Sequence, residues 1–443
     1  MTAQFDIKNW QSTYDRKCSP LDDAANEIQS GDRVWIGGAN GIAIPVLKQL
    51  CHRKDELKDV ELYGALLMFP FDFLKAEFKG HINYNCLFTG PLERKFLGPH
   101  GNIKINSVHF SQTQSFMKNI MKPNVLLMEV SRPDENGFMS LGHIGALLGD
   151  SVVESTEKVI VVVNDQVPYL KGESNFIHVD QVDKLVECSH ELPFAPQAQP
   201  SELEQSIASH ILPYINDGDT IQVGFGGLSD AVAYGLENKK NLGVHSEMMT
   251  DSLLHLIKKD AIDNSNKTID KNKLVYGLAV GSRELLDFLD NNDDAHVMPL
   301  PTLNKPEKIA EQDNFISING ALMCDLTGQI AAEGVGLNQI SCTGGQLDFV
   351  RGAGMSKGGK SFIALSSVFK GKNGLESRIQ LTLPAGTPVT TPRSDAMFIV
   401  TEYGVADVHN KSLKDRTAAL IAISHPDFRE TLTIEAREAG LID

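Results

Sequence analysis

Several features that mark large function classes are scarce or missing in this 443-residue sequence. There are six cysteines, Cys18, Cys51, Cys86, Cys188, Cys324 and Cys342, and no C-x-x-C pair among them. That argues against zinc ribbons, cysteine-ligated iron–sulfur clusters and a thioredoxin-like dithiol, and fits free thiols in a reducing compartment. No apolar run approaches the 18–20 residues or so that span a bilayer. The N-terminal stretch MTAQFDIKNWQSTYDRK lacks the hydrophobic segment of a secretory signal. A cytoplasmic protein with no membrane partner is expected. Basic charge is also in deficit, with 41 Lys and Arg against 57 Asp and Glu and a net charge of −16. Nucleic-acid affinity comes largely from Lys and Arg on phosphates, so no nucleic-acid partner is expected.

Familiar active-site signatures are missing too. No H-E-x-x-H pair or His/Asp cluster appears among the 13 dispersed histidines, so no metal site is expected. Gly224-Phe225-Gly226-Gly227-Leu228-Ser229 opens like a dinucleotide fingerprint but ends in serine.

What is present reads as a soluble α/β protein. Apolar residues make up 42% and charged residues 22%, and the length suits two domains. Val125–Val130 and Val159–Val163 are continuous aliphatic runs of the kind found in buried parallel strands. Helical patterns such as Ala24–Gln29 and Pro45–Leu50 alternate with such runs, which predicts a largely parallel sheet. Pro193, Pro196 and Pro200 crowd residues 189–202, where proline suits an extended linker. The expected division is therefore 1–195 and 196–443. Gly31–Gly38 (GDRVWIGG) and Gly218–Gly226 (GDTIQVGFG) share a strand ending in glycine, each followed by a helical pattern. They are either two copies of one unit or a chance likeness between economical strand starts.

The 37 glycines point to two candidate sites. Thr343–Lys360 holds six of them in eighteen residues, with Arg351, Lys357 and Lys360 nearby. It reads as an ordered loop with backbone amides and cations facing a ligand, or else as a flexible surface loop. The second is Gly243–Met248 (GVHSEM). A strand here would deliver Glu247 to the carboxyl edge beside the Gly224–Gly227 turn. A carboxylate with an ordinary pKa of about 4.3 is ionised at neutral pH and can act as a nucleophile. Alternatively, Glu247 supports the N-terminus of a helix over Asp251–Lys258.

GVHSEM, SINGALMCDLTGQ (317–329), GGQLDFVRGA (344–353), TEYGVADV (401–408), HPDFRE (425–430) and PDENGFMSLG (133–142) together resemble the acetyl-CoA hydrolase/transferase family. Within it, the chain looks most like the 4-hydroxybutyrate and butyrate:acetate CoA-transferases. The resemblance implies two related CoA-transferase-like α/β domains with largely parallel sheets, the second carrying the catalytic glutamate. It implies that Glu247 is this nucleophile, passing through an acyl-glutamyl anhydride and a glutamyl-CoA thioester in a ping-pong exchange. It further implies that Gln222, Val223, Gly224, Phe225, Gly226 and Gly227 contact CoA near the glutamate. Asn319, Ala321, Gly344 and Gly345 match positions lining the CoA thiol and pantetheine, with Gln346 and Arg351 as weaker matches. Ser229 departs from the proline that relatives commonly carry after the turn. The implied partners are acyl-CoA and short carboxylic acids, with CoA as substrate and covalent intermediate and no tightly bound cofactor. A homodimer or higher homo-oligomer is implied as well. Two other readings stand beside the transferase. A hydrolase would pass the same intermediates to water, and a CoA-binding sensor would have no need of Glu247.

Overall fold

The computed structural model describes residues 5–142, 150–195, 199–371 and 374–443. Of the proline-rich stretch 189–202, residues 196–198 lie outside the described residues. By its contacts the chain divides into two compact units. One comprises Met1–Pro196 with Tyr276–Thr302, and the other Gln197–Val275 with Leu303–Asp443.

The first unit is built on seven parallel strands: β1 (Arg33–Ala39), β2 (Val60–Leu67), β3 (Ile82–Cys86), β4 (Ile103–Ile105), β5 (Val125–Val130), β6 (Lys158–Val163) and β7 (Lys184–Glu187). Their order is β4-β3-β2-β1-β5-β6-β7, and every pairing is parallel. β5 is buried along its whole length and pairs residue for residue with β6, from Val125 against Lys158 to Val130 against Val163. Such continuous apolar runs are expected of strands covered on both faces. The helix predicted over Pro45–Leu50 spans Ile44–His52, with Pro45 in its first turn, where its missing N–H costs nothing. Its Val46, Leu47 and Leu50 are fully buried in one cluster with Val34, Ile36 and Leu62. Each such side chain contributes roughly 1.5–3 kcal/mol on burial. The pattern at Ala24–Gln29 becomes the helix Leu21–Asn26, shifted toward Pro20, with Ala24 and Ala25 buried.

The segment Tyr276–Thr302, which the sequence reading placed in the second domain, is stitched into the first unit by backbone bonds. Val297 N–H donates to Lys171 O and Glu173 N–H donates to Val297 O, both at 2.8 Å. Tyr169 N–H donates to Asp290 Oδ1 at 2.7 Å. Gly172 permits this approach, because a Cβ there would overlap the Val297 backbone.

The second unit holds β8 (Thr220–Val223), β9 (Gly243–Met249), β10 (Phe315–Gly320), β11 (Lys360–Ala364), β12 (Phe398–Thr401) and β13 (Gly404–Asp407). They run in the order β9-β8-β10-β11-β12-β13, parallel except for the final β12–β13 hairpin. β8 here and β1 in the first unit occupy the same place. Each is flanked on one side by the next strand in sequence and on the other by a strand reached through a longer connection. These are points where the strand order reverses, and in open α/β sheets ligands settle outside the carboxyl ends of strands at such points. The two glycine-ended segments noticed in the sequence are thus equivalent elements. Among the described residues no helix is long and apolar enough to cross a membrane.

Candidate active site

Three consecutive strands of the second unit deliver side chains or turns to one carboxyl edge. β8 ends at Val223 and opens into Gly224–Gly227, β9 carries Glu247, and β10 ends at Asn319 and Gly320. The parallel registers Thr220↔Gly243 and Thr220↔Phe315 hold the three strand ends level. The Ser246 hydroxyl also reaches the Val223 carbonyl at 3.5 Å. Glu247 lies inside the strand, and the helix Asp251–Lys258 begins after Thr250. The alternative in which Glu247 supports that helix start is therefore set aside.

The surroundings of Glu247 are specific. Its Oε2 accepts a 2.6 Å hydrogen bond from Asn304 Nδ2, and Asn304 is itself fully buried. Among the described residues no protein donor meets Oε1, and Glu247 stays partly open to solvent. Burial pushes its pKa up to about 7; the Asn304 bond opposes that rise and the Asp348 carboxylate adds to it. Gly345 packs against the same oxygen. A Cβ there would overlap both Glu247 Oε2 and Asn304 Nδ2, although the glycine has an ordinary φ of −102°. Space, not backbone freedom, therefore requires glycine at 345. A half-buried carboxylate with one oxygen held and the other free is equipped for nucleophilic attack, and its raised basicity strengthens it as a nucleophile.

The remaining predicted residues fall into distinct settings. Gln222 is buried and its amide is already committed. Its Oε1 accepts from Ser317 Oγ at 2.9 Å and from Asn319 Nδ2 at 3.2 Å, and its Nε2 donates to Asn319 Oδ1 at 3.4 Å. Gln222 therefore orients Asn319, which is partly exposed at the edge. Val223 is buried and Phe225 is 57% exposed. Gly224 N–H donates to Ile318 O at 3.1 Å. Gly226 has φ +113° and ψ 172° at the start of the helix Gly227–Gly235, a conformation essentially confined to glycine. A Cβ on Gly227 would overlap the Glu204 carboxylate. Ala321 N–H pairs with Ala364 O at 3.1 Å, and Gly344, with φ +60°, turns the chain into Gly345. Glu247 and Gly345 are thus brought into contact, as are Gln222 and Asn319.

The reading of Thr343–Lys360 as a loop is corrected. Gln346–Met355 is a helix, with Leu347, Phe349, Val350 and Ala353 buried. Its Gly352 allows close packing on Ile309, so that glycine serves packing rather than a ligand. Arg351 pairs with Asp395 at 3.1 Å and Lys357 with Asp313 at 3.5 Å. Lys360 begins β11, and Gln346 Nε2 donates to Gly320 O at 2.7 Å. Sequence reasoning missed Asn304 altogether. It lies between Leu303 and the helix Pro306–Ala310, 57 positions from its partner, with no local pattern to mark it.

Comparison with known proteins gives a consistent picture. Residues 2–195 match the acetyl-CoA hydrolase/transferase N-terminal domain, and residues 281–436 match the acetyl-CoA hydrolase/transferase C-terminal domain. The chain is 37% identical to a 4-hydroxybutyrate coenzyme A transferase of Clostridium kluyveri, covering 97% of this chain and 99% of that one. It is 36% identical to a butyryl-CoA:acetate CoA-transferase of Anaerostipes caccae, with 98% of each chain covered. Among solved structures, RipA from Yersinia pestis superposes with a TM-score of 0.89 at 30% identity, covering 99% of this chain and all of that one.

Proposed function

The chain belongs to the acetyl-CoA hydrolase/transferase family, and from that premise we propose that it is a CoA-transferase using Glu247 as nucleophile. The observation that carries this reading is the half-held carboxylate on β9, with Oε2 tied to Asn304 and no protein donor on Oε1 among the described residues.

In the first step Oε1 attacks the thioester carbonyl carbon of an acyl-CoA. The C–S bond breaks, CoA leaves as thiolate, and an acyl-glutamyl anhydride remains. The thiolate then attacks Cδ of Glu247. The Cδ–Oε1 bond breaks, the first acid departs as carboxylate, and Glu247 is left as a CoA thioester. A second carboxylate runs both steps in reverse and departs as the new acyl-CoA. No proton is gained or lost overall, and the thioester's free energy is kept within the enzyme–CoA bond. Each step passes through an oxyanion, which backbone amides of glycine turns at this edge are suited to stabilise.

CoA lies against Val223–Gly227, with Asn319, Ala321, Gly344 and Gly345 toward its thiol end, and Gln222 acts by orienting Asn319. The acids are short: 4-hydroxybutyrate or butyrate, exchanged with acetate. CoA serves as substrate, with no tightly bound cofactor, in a cytoplasmic homo-oligomer. The decisive experiment incubates the protein with butyryl-CoA alone and treats it with borohydride or hydroxylamine. Modification confined to the Glu247 peptide is expected, and its absence defeats the mechanism. Adding acetate should then yield acetyl-CoA rather than free CoA; free CoA alone would identify a hydrolase.

A further inference from the structure

His245 stands two residues before Glu247 on β9, so the two side chains share one face of the strand. The imidazole is fully buried. Its Nε2 lies 2.9 Å from the Leu303 carbonyl. A carbonyl can only accept, so Nε2 carries the hydrogen. Nδ1 has no hydrogen-bond partner. The ring is held edge-on to Phe315 and Phe349 at centroid distances of 6.0 and 6.4 Å. Burial pushes its pKa down to about 4; the Leu303 bond opposes this and Lys267 reinforces it, so the ring is neutral at physiological pH.

The residue after Leu303 is Asn304. Its Nδ2 grips Glu247, but its own Oδ1 is buried without a hydrogen-bond partner. The amide is therefore not anchored by its second end, and its aim depends on where the backbone places it. The carbonyl that His245 holds belongs to the peptide bond joining Leu303 to Asn304.

We propose that His245 is a positioning residue for the transfer reaction, fixing the Leu303 carbonyl so that Asn304 presents its amide to Glu247 and leaves Oε1 free to attack. β9 thus supplies both the nucleophile and, two residues earlier, the brace for the group that orients it. The inference rests on the reading of Glu247 as nucleophile.

The test is a double-mutant cycle on the full-length protein with butyryl-CoA and acetate. His245→Phe keeps a ring and removes the N–H, His245→Gln returns an N–H near the Nε2 position, and Asn304→Ala removes the oriented amide. His245→Phe should lower kcat about 10–100-fold, the scale of a small misalignment of reacting groups, with KM for butyryl-CoA changed less than about threefold. His245→Gln should recover most of the loss. In the Asn304→Ala background, His245→Phe should cost less than about twofold more, because its effect runs through Asn304. Losses that multiply in the double variant, or an unchanged kcat in His245→Phe, overturn the proposal. If His245→Phe does not fold, His245→Asn replaces it. Its amide falls near the Nδ1 position and does not reach Leu303, so equal activity of the Gln and Asn variants overturns the proposal too. Glu247→Gln separates the two levels. A Glu247→Gln enzyme that still turns over defeats the nucleophile itself, whereas a dead one beside an additive cycle defeats only His245.

Discussion

A carboxyl group pushed up to about 7 carries a stability cost that can be measured. The folded protein binds this proton more tightly than the unfolded chain, whose glutamate titrates near 4.5. Between those values the native state is favoured by holding the proton, and the advantage is lost as pH rises through about 7. Glu247→Gln should therefore be more stable than the parent at pH 8, by about 1–3 kcal/mol, with the gap closing toward pH 5. Urea melts at the two pH values provide the check, and equal gaps would show that Glu247 is not held protonated. On the proposal that Glu247 is the nucleophile, the same shift predicts that kcat/KM rises with pH along a limb centred near 7, since attack needs the ionised carboxylate. Gly345 allows a second test at this scale. Gly345→Ala should lower kcat by roughly 100-fold or more in initial-rate measurements, since its φ suits alanine and the nearest atoms the added methyl meets, which it must displace, are those of Glu247 and Asn304.

At the level of elements, the glycine turn after β8 is set by backbone geometry. Gly226, with φ +113°, has open space where a side chain would go, so any cost of Gly226→Ala is conformational, on the order of 1–3 kcal/mol. On the proposal that CoA lies against this turn, a turn shifted by that strain should raise KM for acyl-CoA more than it lowers kcat; initial-rate kinetics separate the two. The strand carrying Glu247 shows what an element's sequence reveals. In GVHSEM a histidine and a glutamate stand at i and i+2, which on a strand share one face, and the following helix Asp251–Lys258 was legible from its own pattern. Thr343–Lys360 shows the opposite. Six glycines suggested a loop, yet Gln346–Met355 is helical because Leu347, Phe349 and Val350 find a buried surface that outweighs glycine's poor helix propensity.

The whole molecule repeats one plan, with a reversal of strand order at β1 and again at β8. Its division is not a single cut in the sequence, since Tyr276–Thr302 belongs with the first unit. A fragment ending at residue 196 would leave Lys171 O and Glu173 N–H without their Val297 partners. That fragment should show a broad thermal transition and rapid proteolysis, and appending 276–302 through a flexible linker should restore a sharp one. Equal behaviour of the two fragments would mean that the segment is dispensable to the first unit.

By itself the sequence determined the α/β class, the parallel strands at Val125–Val130 and Val159–Val163, the two glycine-ended strand starts and Glu247 as the residue to watch. These depend on periodicity, turn chemistry and side-chain type within a few neighbouring positions, and local chain sterics enforce them wherever the chain goes. Tertiary structure alone decided that Asn304 holds the carboxylate, that Gly345 must have no side chain, that Gln222 orients Asn319 and that His245 braces Leu303. Each of those pairings joins positions 57 to 98 apart, and the raised pKa of Glu247 exists only once folding has withdrawn water from its carboxyl group.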